Sequence, residues 1–151
     1  MVEFRNRLNF FIFLKLPSAF ICGVRIKSIN EHICFTTVSY KWINKNPFNS
    51  MYWAVQGMAA ELATGALIIN KINQLNKNIS MLVIRNEAEF IKKGKGVITF
   101  NCNQGLEIDN ALKRVIKTNE SQIITLNALG KNNNGNIISK FIFIWSLKVK
   151  N

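Results

Sequence analysis

The stretch SMYWAVQGMAAELATGALIIN, Ser50 to Asn70, decides how the chain must fold. From Met51 to Ile69 it is apolar enough to approach a transmembrane span. It also carries Gln56, Glu61 and Thr64 and is rich in Ala and Gly. A helix apolar on nearly every side that holds polar groups reads equally as a buried central helix wrapped by a sheet. Strand patterns on both sides favour that reading. Ser50 is expected to cap the helix, which runs to about Asn70.

Working toward the N-terminus, Lys41 to Asn49 is a basic, Asn-rich loop around Pro47. Gly23 to Tyr40 alternates as a hairpin turning at Asn30-Glu31. Leu8 to Gly23, preceded by Arg5 and Arg7, looks a little like a signal peptide. Glu3 and Lys15 interrupt that pattern, and a helix within residues 1–16, ended by Pro17, fits better. Toward the C-terminus, strands are expected near Ser80 to Ile91 and Val97 to Cys102, joined as a hairpin across Lys92 to Gly96. Glu107 to Lys117 follows helical spacing through Ile108, Ala111, Leu112 and Val115. Gln122 to Leu129 and Ile137 to Val149 form a last hairpin around a polar turn, with Phe141, Phe143 and Trp145 on one face. The whole is one α+β domain over 1–151: five or six mostly antiparallel strands curved around one long helix (50–70).

Composition narrows the function. The chain has 151 residues, 48% hydrophobic and 19% charged, which excludes a wholly disordered chain. Its net charge of +12 suits phosphate-bearing partners, although an Ile-, Lys- and Asn-rich composition gives such a charge on its own. No base-stacking motif or recognition helix stands out, so nucleic acid is not expected as a partner, and binding it through basic charge alone is the more remote alternative function. Cys22, Cys34 and Cys102 are scattered and odd in number, which fits a reducing cytoplasm rather than a disulfide framework. His32 and Cys34 form an i, i+2 pair with no further ligands nearby in sequence, so no metal is expected.

The chemistry-bearing segment is Asn46-Pro47-Phe48-Asn49-Ser50-Met51-Tyr52-Trp53-Ala54, continuing to Glu61. A helix N-terminus offers unpaired N–H groups and partial positive charge, a place to hold an oxyanion. Glu61 sits in a run of Met, Ala and Leu. Burial there raises a carboxyl's pKa and tunes it as a base toward water; the alternative is a structural ion pair.

These residues resemble the hotdog-fold thioesterases, closest to the phenylacetyl-CoA thioesterase type, and in particular a bacterial branch with a MAAELATG-like segment. That group carries N-x-x-G-S/T-x-H-G-G where the helix begins and an acidic residue seven positions after the last glycine. Asn46 and Ser50 match, and Glu61 falls on the acidic position. Asn49 replaces the first glycine, Tyr52 the histidine, and Trp53 and Ala54 the glycine pair. The stretch Met81 to Gly94 resembles the family's strand and turn after the helix. The resemblance implies an acyl-CoA or acyl-carrier thioesterase without a cofactor. Glu61, Asn46 and Tyr52 would be catalytic, and Ser50, Trp53 and Ala54 would surround the oxyanion. Lys92, Lys93 and Lys95 would meet coenzyme A phosphates. The lost glycines leave a second expectation, an acyl- or lipid-binding protein without turnover. Eleven residues from Ser50 to Glu61 span about 16 Å of helix. One chain therefore cannot bring both ends to one carbonyl, and an isologous homodimer, or a dimer of dimers, is expected.

Overall fold

The computed structural model describes residues 2–150. The elements in chain order are α1 (Val2–Lys15), α2 (Pro17–Ile21), β1 (Arg25–Ile29), β2 (Cys34–Ser39), a 3-10 turn (Trp42–Asn44), α3 (Trp53–Ile72), β3 (Ile79–Phe90), β4 (Val97–Cys102), α4 (Gly105–Thr118), β5 (Gln122–Asn132) and β6 (Ile137–Val149). The six strands form one antiparallel sheet in the order β1-β2-β4-β5-β6-β3.

α3 lies on one face of this sheet and packs mainly against β2, β4 and β5. Strand residues alternate accordingly: Phe100, Leu126, Phe141, Phe143 and Trp145 point inward and are buried. The opposite face meets water, as expected for a one-sided antiparallel sheet. Phe141 anchors an aromatic cluster, stacked on Phe143 at 6.0 Å and edge-on to Phe100 at 5.9 Å. Thr36 Oγ1 donates to the Ala59 carbonyl at 2.6 Å and ties β2 to the middle of α3. α4 packs on α3, β5 and β6 through Ile108, Ala111, Leu112 and Val115. At that contact the buried Lys71 ammonium meets Asp109 at 2.6 Å.

α1 covers the other flank. Ile12 is fully buried, and the Asn9 carboxamide pairs with the backbone of Ile26, accepting from its N–H at 3.0 Å and donating to its carbonyl at 3.2 Å. A bulge between Ile26 and Ser28 then shifts the alternation in β1, so that Ile29 rather than Ser28 packs on the core.

Three sequence expectations are corrected. α3 begins at Trp53, not Ser50, and Tyr52 is its N-cap without a side-chain cap. Ser50 is instead buried and bonded to Asn46, because the chain first bridges Lys45 to Met51. β3 and β4 are not a hairpin. β3 pairs along its length with β6, while β4 sits between β2 and β5. Finally, α1 is followed directly by a second short helix with Pro17 in its first turn, where a missing N–H costs nothing.

Candidate functional site at the central helix

Asn46 organises the loop that leads into α3. Its Oδ1 accepts from the N–H of Phe48 at 3.0 Å and of Ser50 at 3.2 Å, while its Nδ2 lies 3.0 Å from the Ser50 hydroxyl. The backbone closes the same turn, with the Asn46 N–H donating to the Ser50 carbonyl at 2.8 Å. Asn49 adopts φ 56°, the left-handed conformation that glycine takes freely and asparagine tolerates. The Met51 N–H donates to the Gly94 carbonyl at 2.8 Å. A side chain on Gly94 would lie 2.8 Å from Ile98 Cδ1 and 3.2 Å from Met51 Cβ, so any larger residue would have to push these neighbours aside for the two loops to meet.

At the helix start the N–H groups of Val55 and Gln56 both turn back to the Tyr52 carbonyl. Those of Trp53 and Ala54 find no acceptor among the described residues, which leaves two free donors at the positive end of a 20-residue helix. Tyr52 and Trp53 stand edge to face, ring centres 5.8 Å apart, and both are about half exposed. A cavity of about 320 Å³ opens here. It gathers Asn46, Ser50, Trp53, Lys92 and Lys93. Lys95, Tyr52 and Ala54 do not line it. Gln56 does, and the sequence reading missed it: it is buried, and its Oε1 accepts from Ser139 Oγ at 2.8 Å. A glutamine on an otherwise apolar helix face was the available signal.

Glu61 lies eight residues beyond Trp53, about 12 Å along the helix. It is largely buried, and that burial raises its carboxyl above the ordinary carboxylate range. The ion pairs among the described residues join Lys71 to Asp109, Arg85 to Glu87 and Lys140 to Glu89; none involves Glu61. The carboxylate instead lines a cavity of about 450 Å³ between α3 and α1. Trp145 forms part of its wall and is held in place: its indole N–H donates to Thr64 Oγ1 at 3.1 Å, and Thr64 Oγ1 donates to the Glu61 carbonyl at 2.9 Å. The two cavities share no residue. Within one chain the helix-start group and Glu61 therefore remain apart.

His32 is exposed in the turn before β2, whereas Cys34 is buried. Burial pushes the Cys34 and Cys102 thiols up to about 12 and about 11, where they are unreactive packing groups. No cluster of metal-ligating side chains occurs among the described residues, and none of their helices is long and apolar enough to cross a membrane.

By sequence the chain matches no protein-family model and no curated protein. By structure it resembles a Pseudomonas aeruginosa protein described as a probable thioesterase, with TM-score 0.81, 15% identity, and 96% of each chain covered. A Chlorobaculum tepidum protein of unknown function superposes with TM-score 0.83 at 19% identity, covering 99% of this chain and 96% of that one. A Haemophilus influenzae thioesterase superposes with TM-score 0.72 at 12% identity, covering 96% and 90%.

Proposed function

We propose that this hotdog-fold chain, whose architecture matches that of the thioesterase structures over nearly its whole length, hydrolyses an acyl thioester of coenzyme A or an acyl carrier. The observation that carries the reading is Glu61. It is a carboxyl desolvated by burial, with no cationic partner among the described residues, on the wall of a largely apolar cavity. Such a group holds its proton more tightly than a solvated carboxylate and, when ionised, is a stronger base toward water.

In the reaction, ionised Glu61 takes a proton from water as the water oxygen bonds to the thioester carbonyl carbon. The carbonyl oxygen becomes an oxyanion and lies against the free N–H groups of Trp53 and Ala54. The carbon–sulfur bond then breaks, and the thiolate leaves with the proton held by Glu61. Asn46 acts through the loop it closes and retains one Nδ2 hydrogen for the carbonyl. Ser50 holds that loop, and the Tyr52 hydroxyl is available to donate to the substrate. Lys92 and Lys93, with Lys95 nearby in the same turn, would meet the coenzyme A phosphates.

About 12 Å of helix separates Glu61 from the amides in one chain, so the reading requires two copies, Glu61 of each serving the helix start of the other. The outer edge of β3 supports this. It is an unpaired edge strand of 12 residues with Leu82, Ile84 and Phe90 exposed, a surface proteins rarely leave bare.

Glu61→Gln keeps the shape and removes the base. Free-thiol release from a panel of acyl-CoAs should fall by about 10²–10⁴-fold, the usual worth of a general base. Unchanged release refutes the assignment. A second reading, acyl binding without turnover, is favoured by the Trp53 and Tyr52 rings where glycines would admit a thioester. It predicts acyl-CoA binding with no thiol released by the wild type.

A further inference from the structure

The lining of the cavity beside Glu61 extends along α3 from Glu61 to Gln74. Its α3 side is a single stripe, Glu61, Gly65, Ala66, Ile69 and Asn73, spaced so that it runs along the helix. Gly65 and Ala66 are small and make the stripe a trough. α1 supplies the facing wall through Leu8, Phe11 and Ile12. The Glu61 end is tight: a side chain on Gly65 would lie 3.3 Å from both Glu61 Oε1 and the Trp145 ring. At the other end the lining turns polar, with Asn70, Asn73 and Gln74.

The trough has a measurable apolar length. Glu61 to Ile69 is eight residues, about 12 Å of helix. An extended chain advances about 1.2 Å per bond, so that length takes about ten carbons. Volume agrees. A methylene displaces roughly what one water does in the liquid, about 30 Å³. Ten therefore fill about 300 Å³ of the 450 Å³ and leave room for the carbonyl end.

We infer that the trough between α1 and α3 binds the alkyl tail of a straight-chain acyl group of about eight to twelve carbons, its carbonyl end at Glu61 and its methyl end stopping before Asn73. Only the placing of the carbonyl rests on the thioesterase reading; the tail site stands on the trough itself. A longer tail must desolvate the amides of Asn70, Asn73 and Gln74 at the far end. A short or aromatic acyl group leaves most of the trough unfilled. α1 thereby becomes a specificity element, held to the sheet by Asn9 and Ile12.

Calorimetric titration with the thioethers S-decyl-CoA and S-butyl-CoA separates the two readings, because neither can be hydrolysed. The decyl compound should bind at least about tenfold tighter, since six more methylenes are buried, and the preference should persist in Glu61→Gln. Ala66→Phe lays a ring across the trough and should reduce the preference below about threefold. Phe11→Ala, on the partly exposed outer wall and so tolerant of truncation, should weaken the decyl compound selectively. Equal affinities for the two thioethers, or a folded Ala66→Phe protein with its preference intact, overturns the inference. If Glu61→Gln hydrolyses decanoyl-CoA at the wild-type rate while the preference remains, the catalytic reading falls and the tail site stands. If Glu61→Gln is inactive but no preference exists, the tail site falls alone.

Discussion

Replacing Asp109 by Ala should destabilise the protein far more than replacing its partner Lys71 by Met. The two are joined at 2.6 Å, but Lys71 is 6% exposed and Asp109 34%. Asp109 is the acceptor that the Lys71 ammonium finds among the described residues. Asp109→Ala strands a charge in a dry place, which for a fully buried pair costs about 3–5 kcal/mol. Asp109 is partly hydrated, so water can follow into its place, and about 2–3 kcal/mol is expected. Unfolding entropy for 151 residues is about 0.32 kcal/mol/K, so the melting temperature should fall by about 6–9 °C. Lys71→Met leaves the carboxylate facing solvent and adds an apolar chain to the α3–α4 contact; the change should lie within about 1 kcal/mol. Urea and thermal unfolding of the two single variants and the double variant give all three numbers. Equal losses from both singles, or a loss below about 0.5 kcal/mol for Asp109→Ala, would show that the pair is solvated and does not fasten α4 to α3.

Glu61 should make the protein less stable as pH rises. Its folded-state pKa is raised by burial, so the native state binds the extra proton. The associated stability is present below the unfolded pKa and is lost as pH climbs through the folded one. Glu61→Gln should therefore match the wild type near pH 4 and exceed it near pH 8 in urea unfolding; a constant difference between the two curves contradicts this. Cys34 and Cys102, with thiols at about 12 and about 11, should resist iodoacetamide at pH 8 until the protein is unfolded, and rapid native labelling of either one counts against their burial. Asn46→Ala should open the loop before α3 at a cost of about 2 kcal/mol. Amide exchange at Phe48 and Ser50 should accelerate, and protection unchanged at both would show that the carboxamide does not hold the turn.

Much of this was legible in the sequence because it depends on local pattern. The apolar run of α3 and the alternation of Phe141, Phe143 and Trp145 follow from single-residue preferences and periodicity. So does the dry setting of Glu61, set by its Met, Ala and Leu neighbours. What the pattern does not encode is pairing at a distance. β3 and β4 adjoin in sequence with a glycine turn between them, as a hairpin does, yet Met51 takes the Gly94 carbonyl and the turn is used to meet the α3 loop. Ser50 has the right chemistry for a cap, but Asn46, four residues back, engages its hydroxyl and the helix starts three residues later. The wall that α1 builds opposite Glu61, and the meeting of Lys71 with Asp109, join segments whose contact no spacing rule predicts.

The union of β3 with β6 has a consequence for biogenesis. β3 is made well before its partner and cannot form its ladder until residues 137–149 have left the ribosome. Through that interval both borders of β3 are unpaired and its mostly apolar first half, Ile79 to Ile84, is open to non-native pairing, so a chain cut short within β6 keeps a bare strand edge prone to aggregation.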